Sequence, residues 1–168
     1  MRLVKSIVLL FAIAFVGVFG AASAKDSPDG YSGKWVLDKK SPRPGDAPND
    51  LETKIKQDSS GLTIESTFKD PDNGVVPLLY LGVMTNRLRL NTDGQEQQTQ
   101  IGPFMAVFKT TMDGSTMTTD FTAEIKGDQV QGHWVRTLSE DGKHMTLDIK
   151  ESSTHSQHAE ATLSFVRK

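Results

Sequence analysis

From about residue 30 onward, side chains of two kinds alternate along the chain with a period of two. Leu51, Thr53 and Ile55 alternate with Glu52, Lys54 and Lys56, and Leu62, Ile64, Ser66 and Phe68 alternate with Thr63, Glu65 and Thr67. Phe104, Ala106 and Phe108 take one face, Met105 and Val107 the other. Met117, Thr119, Phe121, Ala123 and Ile125 share one parity, as do Val130, Gly132, Trp134, Arg136 and Leu138. Met145, Leu147 and Ile149 follow, and Ala159, Ala161, Leu163 and Phe165 close the series. Successive side chains of a strand point to opposite faces, so this pattern predicts half-buried β-strands. No stretch after the first 24 residues keeps a helical period, and little helix is expected.

Turn signals punctuate the strands. Asn73-Gly74, Asp93-Gly94, Asp113-Gly114 and Asp141-Gly142 separate patterned stretches, and Ser60-Gly61 and Gly127-Asp128 fall in similar places. Asn-Gly and Asp-Gly suit the type I′ turn, whose twist matches that of paired strands. The chain therefore reads as a meander of antiparallel hairpins with about eight to ten strands. Trp35, Val36 and Leu37 start the first strand after a polar lead-in from Lys25 to Tyr31. Lys39 to Asp50 carries Pro42, Pro44, Gly45 and Pro48 and reads as a loop over one end of the fold. Gln95 to Gln100 is a polar strand or loop. Val75 to Met84, interrupted by Pro77 and Gly82, is an irregular strand, a bulge or a lid. So many strands must close on themselves or split into two sheets, because exposed edges invite aggregation. Sequential hairpins favour an all-β, antiparallel up-and-down barrel over a sandwich.

The first residues change the picture of where the protein works. Arg2 and Lys5 precede an apolar run from Ile7 to Phe19, and Ala22-Ser23-Ala24 supplies small residues for cleavage. This is the layout of a secretory signal peptide, expected to span 1–24 and to leave one domain over 25–168. The apolar run falls short of the roughly 20 residues of a membrane span, so no integral span is expected after cleavage. Periplasmic or secreted localisation follows. Cleavage removes two basic residues and leaves 17 basic against 21 acidic ones, a net charge of −4. That balance, with no basic cluster, argues against nucleic acid or an anionic membrane as partner. There is no cysteine, so neither a disulfide nor a lipidated cysteine is available. Oligomeric state is left open.

Ser32-Gly33-Lys34-Trp35-Val36-Leu37-Asp38, followed by Lys40-Ser41, resembles the Gly-x-Trp opening strand of lipocalins and related calycins. With the Pro-rich loop and the Asp-Gly hairpins, the chain from Tyr31 to Lys168 is similar to small exported lipocalin-like (calycin-type) bacterial β-barrel proteins of unassigned function. The resemblance implies an eight-stranded barrel with an apolar cup open at one end. It also implies a closed end where the opening Trp35, beside Gly33, meets an arginine of the last strand. Arg167 is the matching position and Arg136 a rival. Stacking of this kind is worth about 0.5–2 kcal/mol. The lipocalin disulfide has no counterpart here.

Candidate chemistry concentrates on the inward parity. Trp134 is core or pocket wall, with Gly132 leaving space beside it. Arg136, if it follows Trp134 inward, needs an anion or several acceptors, as the carboxylate of a fatty acid would supply; otherwise it forms a rim ion pair. Phe104, Phe108, Met117, Phe121, Met145 and Phe165 suit an adaptable apolar lining or a filled core. His133 falls on the face opposite Trp134. His155 and His158 lie in a polar turn, which is weak evidence for a metal, and no cofactor is called for. There is no cysteine nucleophile, no Gly-x-Ser-x-Gly elbow and no His-Glu-x-x-His motif, so an enzyme is not expected. The leading expectation is an exported module binding a small hydrophobic or amphipathic ligand through Trp134, Arg136, Phe108, Phe121, Met117 and Phe104. The alternative is an envelope structural or interaction protein that presents Val75 to Met84.

Overall fold

The alternating stretches form ten strands: β1 (Gly33–Leu37), β2 (Leu51–Asp58), β3 (Gly61–Phe68), β4 (Arg87–Asn91), β5 (Asp93–Ile101), β6 (Phe104–Asp113), β7 (Thr116–Ile125), β8 (Asp128–Leu138), β9 (His144–Ser153) and β10 (His158–Arg167). This computed structural model describes residues 30–40, 50–68, 87–125, 127–154 and 158–168. The segment 1–24, most of the Pro-rich loop, Asn73-Gly74, His155 and Val75 to Met84 lie outside the described residues. No helix occurs among the described residues.

One sheet runs β4-β3-β2-β1-β10-β9-β8-β7-β6-β5, with every neighbouring pair antiparallel. Pairing of β1 with β10 brings the two ends of the described chain together, and the sheet curls until β4 faces β5. This is a nearly closed up-and-down barrel, with ten strands where the resemblance implies eight. A sandwich would need two sheets.

β4 and β5 share no ladder, although Thr92 alone separates them in sequence. A side chain bridges the seam. Gln97 of β5 accepts from the Asn91 backbone N–H through Oε1 at 2.8 Å and donates to the Arg89 carbonyl through Nε2 at 2.8 Å. Its amide thus satisfies two backbone groups of β4 that a neighbouring strand would otherwise cover. β5 is otherwise an edge in composition: of its residues only Ile101 is buried. Gln95 to Gln100, open between strand and loop in the sequence, is strand.

The pattern of burial follows the pattern of the sequence. In β7, Met117, Thr119, Phe121, Ala123 and Ile125 are buried. In β8 the same holds for Val130, Trp134, Arg136 and Leu138. Two expectations need correction. Asp93-Gly94 is not a hairpin turn. Gly94, at φ +74°, lies inside β5, where the register with β6 shifts between Asp93 and Glu96 as a bulge. Tyr31 is not part of a solvated lead-in: it is 1% exposed and fills one end of the barrel.

Candidate functional site

At that end the first and last described strands meet in register, with Trp35 opposite Arg167. The Arg167 guanidinium lies over the Trp35 ring at 4.6 Å, and its Nη2 donates to the Gly30 carbonyl at 2.6 Å. Trp35 donates from Nε1 to the Tyr31 carbonyl at 2.9 Å, and Tyr31 N–H donates to Gln57 Oε1 at 2.8 Å. A side chain begun at Gly33 would sit 3.7 Å from the Arg167 stem, in ordinary contact. Of the two arginines weighed for Trp35, Arg167 is the one that stacks on it.

Arg136 lies elsewhere in the interior. The alternation of β8 turns it inward, opposite Met117 on β7 and Leu147 on β9. It is 3% exposed, and among the described residues no carboxylate pairs with it. Its guanidinium carbon lies 5.8 Å from the Trp134 ring centroid. Nη1 is buried and meets no hydrogen-bond acceptor among the described residues. Among the described residues this arginine makes no ion pair of the rim kind weighed from sequence. Desolvation lowers its pKa to about 10, opposed by the Tyr31 phenol, so the guanidinium stays charged at neutral pH. Tyr31 shows the reciprocal effect. Burial pushes its phenol up to about 12, while Arg136 and a backbone hydrogen bond act the other way. The Tyr31 hydroxyl reaches two carbonyls, Ser115 at 2.8 Å and Arg136 at 2.7 Å.

The apolar candidates cluster on one another. Phe108 and Phe121 are cross-strand partners with ring centroids 5.7 Å apart; Trp134 lies 4.5 Å from Phe121 and 5.8 Å from Phe108. Gly132 pairs with Phe121 and lets that ring lie against the β8 backbone: a Cβ there would come within 2.0 Å of Phe121 Cε1. Space at Gly132 on the Trp134 face is thus taken up by the Phe121 ring. Met117 is fully buried next to Arg136. Phe104 stands apart, half-buried at the β5–β6 hairpin opposite Ile101. Met145 and Phe165 pair on β9 and β10 and are buried. Where the resemblance implies an open cup, these residues leave beside Arg136 a void of about 10 Å³, walled by Thr53, Ile64, Ser66, Met145, Leu147 and Phe165. That is room for one water-sized group.

Outside the barrel, His133 is exposed and its Nδ1 lies 2.7 Å from Asp120 Oδ1. It borders a shallow groove of about 620 Å³ across β7 to β10, with Lys150, His158 and Glu160. Among the described residues no group of His, Asp and Glu could hold a metal ion.

No protein-family model matches the chain, and no curated protein does. Solved structures do. A secretory abundant heat soluble (SAHS) protein of Ramazzottius varieornatus superposes with a TM-score of 0.53 at 12% identity, over 82% of this chain and 94% of that one. That likeness shows a shared fold and nothing finer. SAHS protein 4 of the same organism (12% identity, 83% and 96% covered) and zebrafish ileal bile acid-binding protein complexed with cholic acid (16%, 82% and 98%) each reach 0.49, too low to carry weight.

Sequence reasoning missed Glu151. It is 4% exposed and accepts from Trp134 Nε1 at 2.7 Å. The signal was present: one more step of the Met145, Leu147, Ile149 alternation lands on it. Thr53 and Ser66, read as members of the buried parity, gain a role only because β2 and β3 face Arg136 across the interior. Their hydroxyls lie 3.4 Å apart.

Proposed function

We propose that this protein is an exported binding module of the small bacterial lipocalin-like kind, whose barrel takes up an amphipathic molecule with one anionic group. The observation that supports this is Arg136, a charged guanidinium inside the barrel with a buried N–H and no carboxylate partner among the described residues. Burying an ion unpaired costs several kcal/mol, and a ligand carboxylate would offset that cost with a charge-assisted hydrogen bond. Because the described interior side chains of Phe108, Phe121, Trp134 and Met117 are buried and the three rings pack on one another, the tail must displace part of that cluster. The seam between β4 and β5 is where the sheet gives most easily, since among the described residues no ladder joins the two strands and the Gln97 amide bridges them. Export by residues 1–24 belongs to the same reading, and a mature N-terminus at Lys25 in the envelope fraction is its expected signature.

Laurate and dodecanol test the reading, because they share a tail and differ in the head. Laurate is expected to bind at least about tenfold more tightly than the alcohol, and Arg136→Leu to erase the difference while both still bind. Equal affinities, or no binding of either, would overturn it.

A further inference from the structure

The void beside Arg136 is too small for the head group and tail of any lipid, yet its walls are built. Arg136 is one of its lining residues, and the Nη1–H of that side chain is buried and without an acceptor among the described residues. Thr53 and Ser66 line it too, two hydroxyls 3.4 Å apart on residues each 6% exposed. Ile64, Met145, Leu147 and Phe165 are the other lining residues. At most one hydroxyl proton lies between Thr53 and Ser66, so the other hydroxyl has a proton to aim into the void. The space thus offers a fixed positive charge, an unused N–H and a free O–H, and no carboxylate of a described residue within ion-pair distance of the guanidinium.

A single water would accept the N–H and fill the volume. It would leave the buried charge uncompensated. A monatomic anion does both, since it accepts from every donor and cancels the charge. Its size is the limit: about 10 Å³ admits one water-sized particle, so polyatomic anions such as sulfate, phosphate or a carboxylate do not fit without the wall opening. A halide, slightly larger than water, fits if the flexible Met145 side chain shifts by a few tenths of an ångström.

We infer that, without an organic ligand, the barrel holds one chloride ion between Arg136 Nη1 and the hydroxyls of Thr53 and Ser66. The ion is then a structural counter-charge of the empty barrel and competes with any anionic ligand. This concerns the same guanidinium as the proposed function and stands without it.

Purified protein is unfolded in urea at constant ionic strength while sodium chloride replaces sodium gluconate, whose anion is too large for the void. Because chloride would bind only the folded state, the midpoint is expected to rise with the logarithm of chloride concentration once the site is part-filled. Bromide should act alike, and a bromide-soaked crystal should show one anomalous peak between Arg136 and the Thr53–Ser66 pair. Thr53→Val keeps the charge, removes one hydroxyl and is expected to weaken the chloride response several-fold; Arg136→Met should abolish it. A midpoint that is the same in chloride and gluconate, or a crystal with no bromide peak at Arg136, overturns the inference and leaves water as the occupant. The bromide soak uses the unaltered protein, so a variant that fails to fold does not remove the test. Laurate titrated in chloride and in gluconate separates the two proposals. A halide response with no laurate binding refutes the ligand reading alone, and laurate binding without a halide response refutes this inference alone.

Discussion

Gly132→Ala probes how tightly the barrel interior is filled. Gly132 is not among the residues with positive φ, so alanine meets no backbone strain there. The new Cβ would lie 2.0 Å from Phe121 Cε1, 2.7 Å from Cζ and 2.8 Å from Cδ1. Phe121 is 3% exposed and cannot swing freely, since Phe108 stacks on it at 5.7 Å and Trp134 lies 4.5 Å away. Overpacking of this kind costs typically about 1–3 kcal/mol. Removing a glycine from the unfolded chain returns about 0.4–1 kcal/mol. The expected net loss is about 1–2 kcal/mol, or roughly 3–8 °C in Tm for a domain of this length. Phe121→Leu alone should also destabilise, by opening a gap. The pair together should be more stable than the sum of the single losses by about 1 kcal/mol or more, because the shorter side chain vacates the space alanine needs. Urea titrations of the four proteins give the cycle. If Gly132→Ala costs under about 0.5 kcal/mol, or the two losses simply add, the ring does not rest on that glycine and the interior is looser than described.

Two further outcomes follow from the buried polar groups. Tyr31 titrates from 10.0 when unfolded to about 12 when folded, so the native state keeps a proton that the unfolded chain has released in that interval. Its contribution is complete below about pH 10 and is lost as pH rises towards 12. The stability advantage of the wild type over Tyr31→Phe should therefore shrink by on the order of 2 kcal/mol across this range, measured as unfolding free energy; a constant difference refutes the assignment. Gln97→Ala strips partners from the Asn91 N–H and the Arg89 carbonyl, with an expected loss of about 1–2 kcal/mol and faster hydrogen exchange at Asn91. Unchanged protection at Asn91 would mean that the seam is held by something else.

The strands were readable because burial in a barrel is one-sided, and a one-sided sheet writes period two into the chain. The inward turn of Arg136 and the outward turn of His133 follow from parity alone. Asp93-Gly94 was misleading for a specific reason. A type I′ turn and a glycine bulge both use positive φ, and only the pairing partner tells them apart: β5 pairs with β6, not β4. The Gly102-Pro103 turn, which does join β5 to β6, lacks the Asn-Gly or Asp-Gly signature that marks such a turn in the sequence. Tyr31 looked like lead-in because its partners, Gln57, Ser115 and the Arg136 carbonyl, are distant in sequence. The void beside Arg136 was not legible at all. Its walls come from β2, β3, β8, β9 and β10, and volume depends on how five rows interlock.

The barrel treats two arginines of the same chemical kind differently, and the difference bears on function. Arg167 stacks on Trp35 at 4.6 Å and donates from Nη2 to the Gly30 carbonyl; one of its nitrogens, Nε, is buried without a hydrogen-bond partner among the described residues. It is only partly buried, closes the end of the barrel and meets the chain that precedes β1. Arg136 stands 5.8 Å from Trp134, almost wholly out of water, lines a small void, and has a buried Nη1 with no hydrogen-bond partner among the described residues. A methionine at 136 would fill that space without a charge to desolvate, and replacing buried ions by well-packed apolar groups is often neutral or stabilising by about 1–4 kcal/mol. Folding alone therefore gives no reason for a cation at 136, while folding is sufficient reason for the one at 167. If Arg136→Met proves more stable than the wild type in gluconate but loses that advantage in chloride or laurate, then the cation serves an anion and not the fold. If the variant is less stable under every condition, Arg136 is structural after all, and the binding site must be sought elsewhere on the barrel.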